Sequence, residues 1–304
     1  MDRFQEMQVF LAVAEQQGFA AAARRLNMSP PTVTRAVAAL EERIGTLLLT
    51  RTTRSVHITE AGQRYAEDCR RILSELEEAE ESAAGSHATA RGQLTITAPV
   101  LFGELFVTPL MVDYLREQPA VQIKALLVDR VVSMVDEGID VAIRIGHLPD
   151  SGLNALKVGE VRQVICASPS FLATHGRPVH PEQLREAQVV ASVSSHLLSD
   201  WQFMEGDTPI SVRPQPRLVV TANQAAINAA SLGWGLTRVL SYQVAGKVAS
   251  EELEIVLQDY EQPPLPIHVV YQGGRKIAAK VRTFVDFCAE RLSQDLALNP
   301  PPQS

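Results

Sequence analysis

The sequence predicts a mainly α winged helix-turn-helix with a long linker helix, followed by an open, mostly parallel α/β region. Three observations carry this. "SPP" opens an amphipathic helix at Ser29, and the basic stretch "LLLTRTTRSVHITEAG" follows it. Past "GSHATARG" the pattern changes to short β-rich runs alternating with helical segments.

Phe4, Met7, Phe10, Leu11 and Ala14 recur with helical period, and Gly18 ends that helix. "FAAAARRLN" is a short second helix, with Asn27 suited to its end. Ser29 is then an N-cap whose hydroxyl accepts from the amide of Thr32. Pro30 and Pro31 occupy first-turn positions that lack an intrahelical carbonyl partner, so the interior proline cost of about 3 kcal/mol does not arise. Val33, Ala36 or Val37, Leu40 and Ile44 form the buried stripe of this third helix, while Thr32, Thr34 and Arg35 project from its first two turns. A helix, a tight turn and a helix with polar groups at its start is the arrangement that sets a recognition helix in a major groove; a plain helical hairpin is the rival.

Two strands, Leu47 to Arg51 and Ser55 to Thr59, make the wing, with Arg51 and Arg54 in reach of phosphates or a minor groove. Residues 1–60 hold arginines at 3, 24, 25, 35, 43, 51 and 54 and acids at 2, 6, 15, 41, 42 and 60, an excess of one positive charge. The acids must therefore sit away from any duplex. Thr59 caps a long helix whose stripe is Tyr65, Cys69, Ile72, Leu76, Ala79 and Ala83. Nothing obvious in its own domain buries that stripe, so a homodimer through paired linker helices is expected, with packing on the second domain as the rival.

Beyond the hinge at 85–92, "QLTITA", "AVQIKALLV", "IDVAIRIG", "VRQVICAS", "QVVASV", "RLVVTA", "WGLTRVL" and "PIHVVYQG" read as strands. Helical segments are expected near 104–118, 131–138, 222–232, 241–249 and 275–293. In such sheets ligands lie at the carboxyl ends of the strands.

The order "FAAAARRL", "SPPTVTRAVAALEERIG", "LLLTRTTRSVHITEAG" resembles the winged helix-turn-helix of LysR-type transcriptional regulators, and the resemblance runs through the whole chain. "GQLTITAPVLFG", "VDEGIDVAIRIG" and the "RTTRS" wing are similar to the CrgA-like subgroup. The resemblance implies a DNA-binding domain over 1–59, a dimerisation helix and hinge over 60–91, and an effector-binding domain over 92–304. That last domain would fold like a periplasmic binding protein of type 2, with one subdomain at about 92–161 plus 267–295 and the other at about 162–266. It further implies homodimers, or tetramers and larger, on double-stranded operator DNA with an inverted repeat. Carried over by position, Ser29, Pro30, Pro31, Thr32, Thr34 and Arg35 are the recognition-helix candidates and Arg51 and Arg54 the wing contacts; Arg35 has a rival role as ion-pair partner of Glu42. Family members often have glutamine and alanine where this chain has Pro30 and Thr32, so amide readout of adenine is lost there.

For the effector, the loop "APVLFGE" precedes a helix and offers Val100, Leu101, Phe102 and Gly103 where relatives offer hydroxyls. An aromatic or otherwise largely apolar ligand suits that wall, with Phe102 as core the alternative. Opposite stand Ser192, Ser194, Ser195, Thr221 and Asn223, Thr221 having a rival role as a helix cap. Arg144 and Arg238 meet an anionic group or, alternatively, make structural ion pairs.

At 304 residues, 46% apolar and 21% charged, the chain is expected to fold, and its net charge of -7 offers no global basic signal. Cys69, Cys166 and Cys288 form no CxxC and have no histidines at metal-ligand spacing, so neither disulfide, metal nor cofactor is expected. There is no signal-peptide pattern and no long apolar run, which points to the cytoplasm and against an exported solute-binding protein. An enzyme is the main rival class, yet GxSxG, Walker A, GxGxxG and HExxH patterns are all missing from the sequence.

Overall fold

The computed structural model describes residues 1–51, 56–84, 89–149, 152–192, 200–273 and 277–299; the side chains of 51, 74, 75 and 77–84 lie outside the description. The chain forms two compact units, Met1–Ala88 and Thr89–Ser304.

The first unit holds α1 (Arg3–Gln16), α2 (Phe19–Arg25), α3 (Pro30–Ile44), β1 (Leu49–Arg51), β2 (Val56–Ile58) and α4 (Glu60–Ala84). Local capping sets most of these boundaries. Asp2 Oδ1 accepts from the Gln5 amide at 2.7 Å, and Ser29 Oγ accepts from the Thr32 amide at 3.4 Å. Gly45, with φ 79°, closes α3 by donating to the Glu41 carbonyl at 2.9 Å. Thr59 Oγ1 caps α4 by accepting from Gly62 N at 2.9 Å. Val9, Phe10, Val13, Val33, Val37 and Leu40 meet Leu48, Ala66 and Cys69 in one core.

Four expectations for this unit are corrected. Phe4 is exposed, while Glu6 is buried and holds Arg43 in an ion pair. Ile44 lies outside the α3 stripe, which contains both Ala36 and Val37. The wing strands are shorter than expected at their outer ends, starting at Leu49 rather than Leu47 and finishing at Ile58 rather than Thr59, while Ser55 lies outside the described residues. Leu47 stays exposed because the Glu41 carboxylate takes the amides of Leu48 and Leu49 at 2.8 and 3.0 Å, which fixes the turn before the strand. Finally, α4 does have cover in its own unit: Ala66, Cys69 and Leu73 are buried, and Tyr65 packs on Phe10 with ring centroids 5.7 Å apart.

In the second unit, β3 (Gly92–Ala98) leads into a helical turn α5 (Val100–Phe102), a π-helical turn Gly103–Val107 and α6 (Thr108–Glu117). β4 (Val121–Leu127), β5 (Val141–Ile145) and β6 (Leu153–Val161) follow. β7 (Gln163–Ala167), α7 (Pro169–His175), β8 (Val189–Ser192), the hairpin β9 (Trp201–Glu205) with β10 (Thr208–Val212), and β11 (Leu218–Val220) come next. α8 (Asn223–Ser231), β12 (Leu236–Leu240), α9 (Ser241–Ala249), β13 (Glu254–Val256), β14 (Leu265–Gln272) and α10 (Ala279–Gln294) complete it.

Two five-stranded sheets result, ordered β4-β3-β5-β14-β6 and β11-β8-β12-β7-β13. Their wiring is the same: the first three strands are parallel and the last two pairings antiparallel. The sheets are therefore mixed rather than mostly parallel. The chain leaves the first sheet for the second at Arg162, between β6 and β7, and returns through 257–264, between β13 and β14. Both crossings are tied: Arg162 Nη1 donates to Glu261 Oε2 at 2.9 Å and to Oε1 at 3.1 Å.

Residues 131–138 are a turn rather than a helix. Val131 and Val135 are exposed, whereas Val132, Met134 and Ile139, spaced two and five apart, close the outer face of the first sheet over Ala142 and Val270. The three cysteines are free and buried, and burial pushes the Cys166 and Cys288 thiols up to about 12.

Candidate DNA interface and effector cleft

At the start of α3, Ser29, Pro30, Pro31 and Arg35 are exposed and Thr32 and Thr34 half-buried. The Ser29 and Thr32 hydroxyls bond each other at 2.7 Å, which holds the first turn in one geometry. Arg35 Nε donates to the Pro31 carbonyl at 3.4 Å. No ion pair to Glu42 exists among the described residues, so the rival role is not taken up here. The Arg51 side chain and all of Arg54 lie outside the described residues; β1 places the Arg51 backbone opposite Val56.

Five of the six acids in residues 1–60 are engaged within the fold, and the sixth, Glu42, is exposed on α3. Asp2 caps α1, Glu6 holds Arg43, and Glu15 lies 2.6 Å from Arg25 and 3.8 Å from Arg70. Glu41 is bound to main-chain amides, and Glu60 pairs with Arg64 at 3.2 Å. Acids consumed inside the fold or on its own arginines oppose a phosphate backbone less than the bare count implies.

The carboxyl ends of the parallel strands of the two sheets meet at the crossings. Ser241, just after β12, donates its amide to the Arg162 carbonyl at 2.8 Å, and its Oγ accepts from the Arg162 amide at 3.2 Å. Phe102 and Phe106, from the loop and helix after β3, stack at 4.8 Å and both meet the ring of Tyr242 edge-on, at 5.4 and 5.7 Å. Phe102 is fully buried in this aromatic bridge and Leu101 nearly so. Both belong to the core rather than to an open cleft wall, Phe102 because Tyr242 reaches across to meet its ring. Gly103 is equally committed: a Cβ there would lie 2.4 Å from Leu127 Cδ2. Only Val100 of the four remains half-exposed, and its amide is taken by Asp129 Oδ1 at 3.0 Å.

The opposite wall differs. Ser192 ends β8 beside Val220, and Thr221 is exposed after β11. Thr221 is not a cap: the N-cap of α8 is Ala222, and among the described residues no side chain caps that helix. Asn223 begins α8, half-buried. Ser194 and Ser195 lie outside the described residues. Arg238 projects from β12 over the rings of Trp201 and Phe203, at 5.9 and 5.8 Å, and bonds Gln163 Oε1; its Nη2 also donates to the Gln202 carbonyl at 3.4 Å. No carboxylate pairs with it among the described residues. Burial lowers its pKa to about 10, so it is still protonated at neutral pH. Arg144 is placed elsewhere: β5 sets it opposite His268, and its Nη2 donates to the Val132 carbonyl at 2.8 Å under the segment covering the outer face. Burial lowers its pKa as well.

Two residues here carry no local sequence signal. Asp129 and Tyr242 acquire their roles only when segments far apart in the chain meet, so no motif could have flagged them.

No described helix is long and apolar enough to cross a membrane, and the described residues contain no group of His, Cys, Asp and Glu able to hold a metal. Residues 4–63 match the family model for bacterial regulatory helix-turn-helix proteins of the lysR family, and residues 87–293 match the LysR substrate binding domain. An HTH-type transcriptional regulator of Xanthomonas campestris pv. campestris is 36% identical over 292 residues, covering 94% of this chain and 85% of that protein. The full-length structure of AphB, a Vibrio cholerae virulence activator, superposes with a TM-score of 0.62 at 26% identity, covering 95% of this chain and 99% of that one. CrgA, a LysR-type transcriptional regulator from Neisseria meningitidis, superposes with a TM-score of 0.61 at 27% identity over the same shares.

Proposed function

The chain belongs to the LysR family of bacterial transcriptional regulators, and from that premise we propose which of its residues meet DNA and which meet the effector. The protein is a DNA-binding regulator with an effector-binding domain, and not an enzyme. The start of α3 enters the major groove of an inverted-repeat operator, with Pro31, Thr34 and Arg35 toward bases or phosphates and Arg51 and Arg54 flanking from the wing. The observation that carries this reading is Arg35: it is exposed on the first two turns of α3 and free of any ion pair among the described residues, while Arg25 and Arg43 are tied to acids. Domains split as a DNA-binding part over 1–59, a dimerising helix and hinge over 60–91, and the effector part beyond.

The effector lies between the two subdomains and is largely apolar or aromatic. Its single anionic group is read from the second-sheet side by Arg238, Ser192, Ser194, Thr221 and Asn223. The cation held above two aromatic rings, with no carboxylate partner among the described residues, supports this. Binding there shifts the subdomains and with them the spacing of the paired DNA-binding domains.

The test is fluorescence anisotropy on the intergenic DNA beside the protein's own gene, with a scrambled duplex and a salt series. Specific binding should weaken steeply with salt, and Arg35→Ala should lose about 1–3 kcal/mol of it with the fold intact by circular dichroism. Equal binding of both duplexes, or an unchanged Arg35→Ala, would remove α3 as the reading element.

A further inference from the structure

We propose that Asp129 is a specificity-determining residue that bars anionic groups from the first-sheet wall of the cleft, so that an effector carboxylate can be read only from the second sheet. The inference rests on the cleft being the effector site and adds the polarity with which that site is filled. Asp129 follows β4 by two residues, and its Oδ1 accepts the Val100 amide at 3.0 Å, the donor that a ligand carboxylate would otherwise meet. The carboxylate is exposed, so it projects its charge where a ligand would arrive. That charge reaches across to the other subdomain: the Tyr242 phenol, shifted upward chiefly by burial, is raised further by Asp129. No hydroxyl compensates on this wall, since residues 99–103 read Pro-Val-Leu-Phe-Gly. The opposite wall is the reverse, with a protonated arginine lacking a carboxylate and a helix start lacking a side-chain cap among the described residues.

The consequence is a class of ligand. A dicarboxylate spanning the two walls would set one of its ends against Asp129 at close range, where like charges cost most. A monocarboxylate binds with its charge toward Arg238 and its neutral end, best a hydrogen-bond donor, toward Asp129.

The measurement is the chemical shift of the Val100 amide in selectively 15N-valine-labelled full-length protein, titrated with sodium formate against sodium chloride at matched ionic strength. In native protein the resonance should not respond to formate beyond the chloride control. In Asp129→Ala, formate should move it saturably back toward its native position, with an apparent affinity at least about tenfold above any native response, the scale of one charge-assisted bond. Should Asp129→Ala fail to fold, Asp129→Gly, which likewise leaves the Val100 amide without a side-chain acceptor, is titrated instead. Equal response in native and variant would overturn the proposal, and so would no response in the variant. Neither outcome depends on operator binding or on any effector, so failure here is distinguishable from failure of the regulator assignment.

Discussion

Gly62 shows how little room the first unit leaves at single positions. A Cβ there would sit 2.1 Å from the Leu48 carbonyl oxygen and 2.8 Å from Ile58 Cγ1, so α4 starts where backbone meets backbone. Gly62→Ala should destabilise this unit by about 3 kcal/mol or more, since the carbonyl cannot yield as a flexible side chain would. The check is a thermal melt of the variant against native protein; an unchanged midpoint would show that α4 shifts to accommodate the methyl. Glu6 teaches the same lesson through charge. It sits in the apolar stripe of α1 only because Arg43 reaches it, and the partner is 37 residues along the chain.

At the scale of elements, α4 divides into a part that the first unit covers and a part that it does not. Ala66, Cys69 and Leu73 are buried, whereas Ile72 and Leu76 remain half-buried on the continuing stripe. If that stripe is the seam between two copies, Leu76→Glu should convert dimer to monomer by sedimentation equilibrium while helicity is retained; an unchanged mass would place the seam elsewhere. Elements were legible in the sequence where their boundaries are set locally. The Ser29 cap, the Gly45 end and the Thr59 cap each act within four residues, and α1 to α4 were readable for that reason. Elements defined by distant partners were not: β6 and β13 are edge strands paired with β14 and β7, and the apolar residues of 131–138 serve a sheet face instead of a helix stripe; β9 and β10, though a local hairpin, are short and partly exposed. The burial of Phe102 was not legible, because the Tyr242 ring that it meets lies some 140 positions away.

For the whole second unit, the Arg162 and Glu261 pair spans the two passages between subdomains. Glu261 is half-buried and its carboxyl is raised above its ordinary value, burial outweighing the opposing attraction of Arg162. A carboxyl with a raised folded-state value favours the fold most when protonated, so its contribution is present below the ordinary carboxylate range and is lost as pH rises through the raised value. The melting-temperature difference, native minus Glu261→Gln, should therefore move in favour of native protein as pH falls through the carboxylate range. A flat difference would mean that burial does not shift this carboxyl in the folded protein. The shared wiring of the two sheets bears on how the chain is made. Every strand of the second sheet lies between Gln163 and Val256, whereas the first sheet waits for β14, which slots between β5 and β6 only once Leu265–Gln272 has left the ribosome. The sheet that begins earlier in the gene is thus finished last, and until then β5 and β6 each carry an open edge able to pair with another nascent chain.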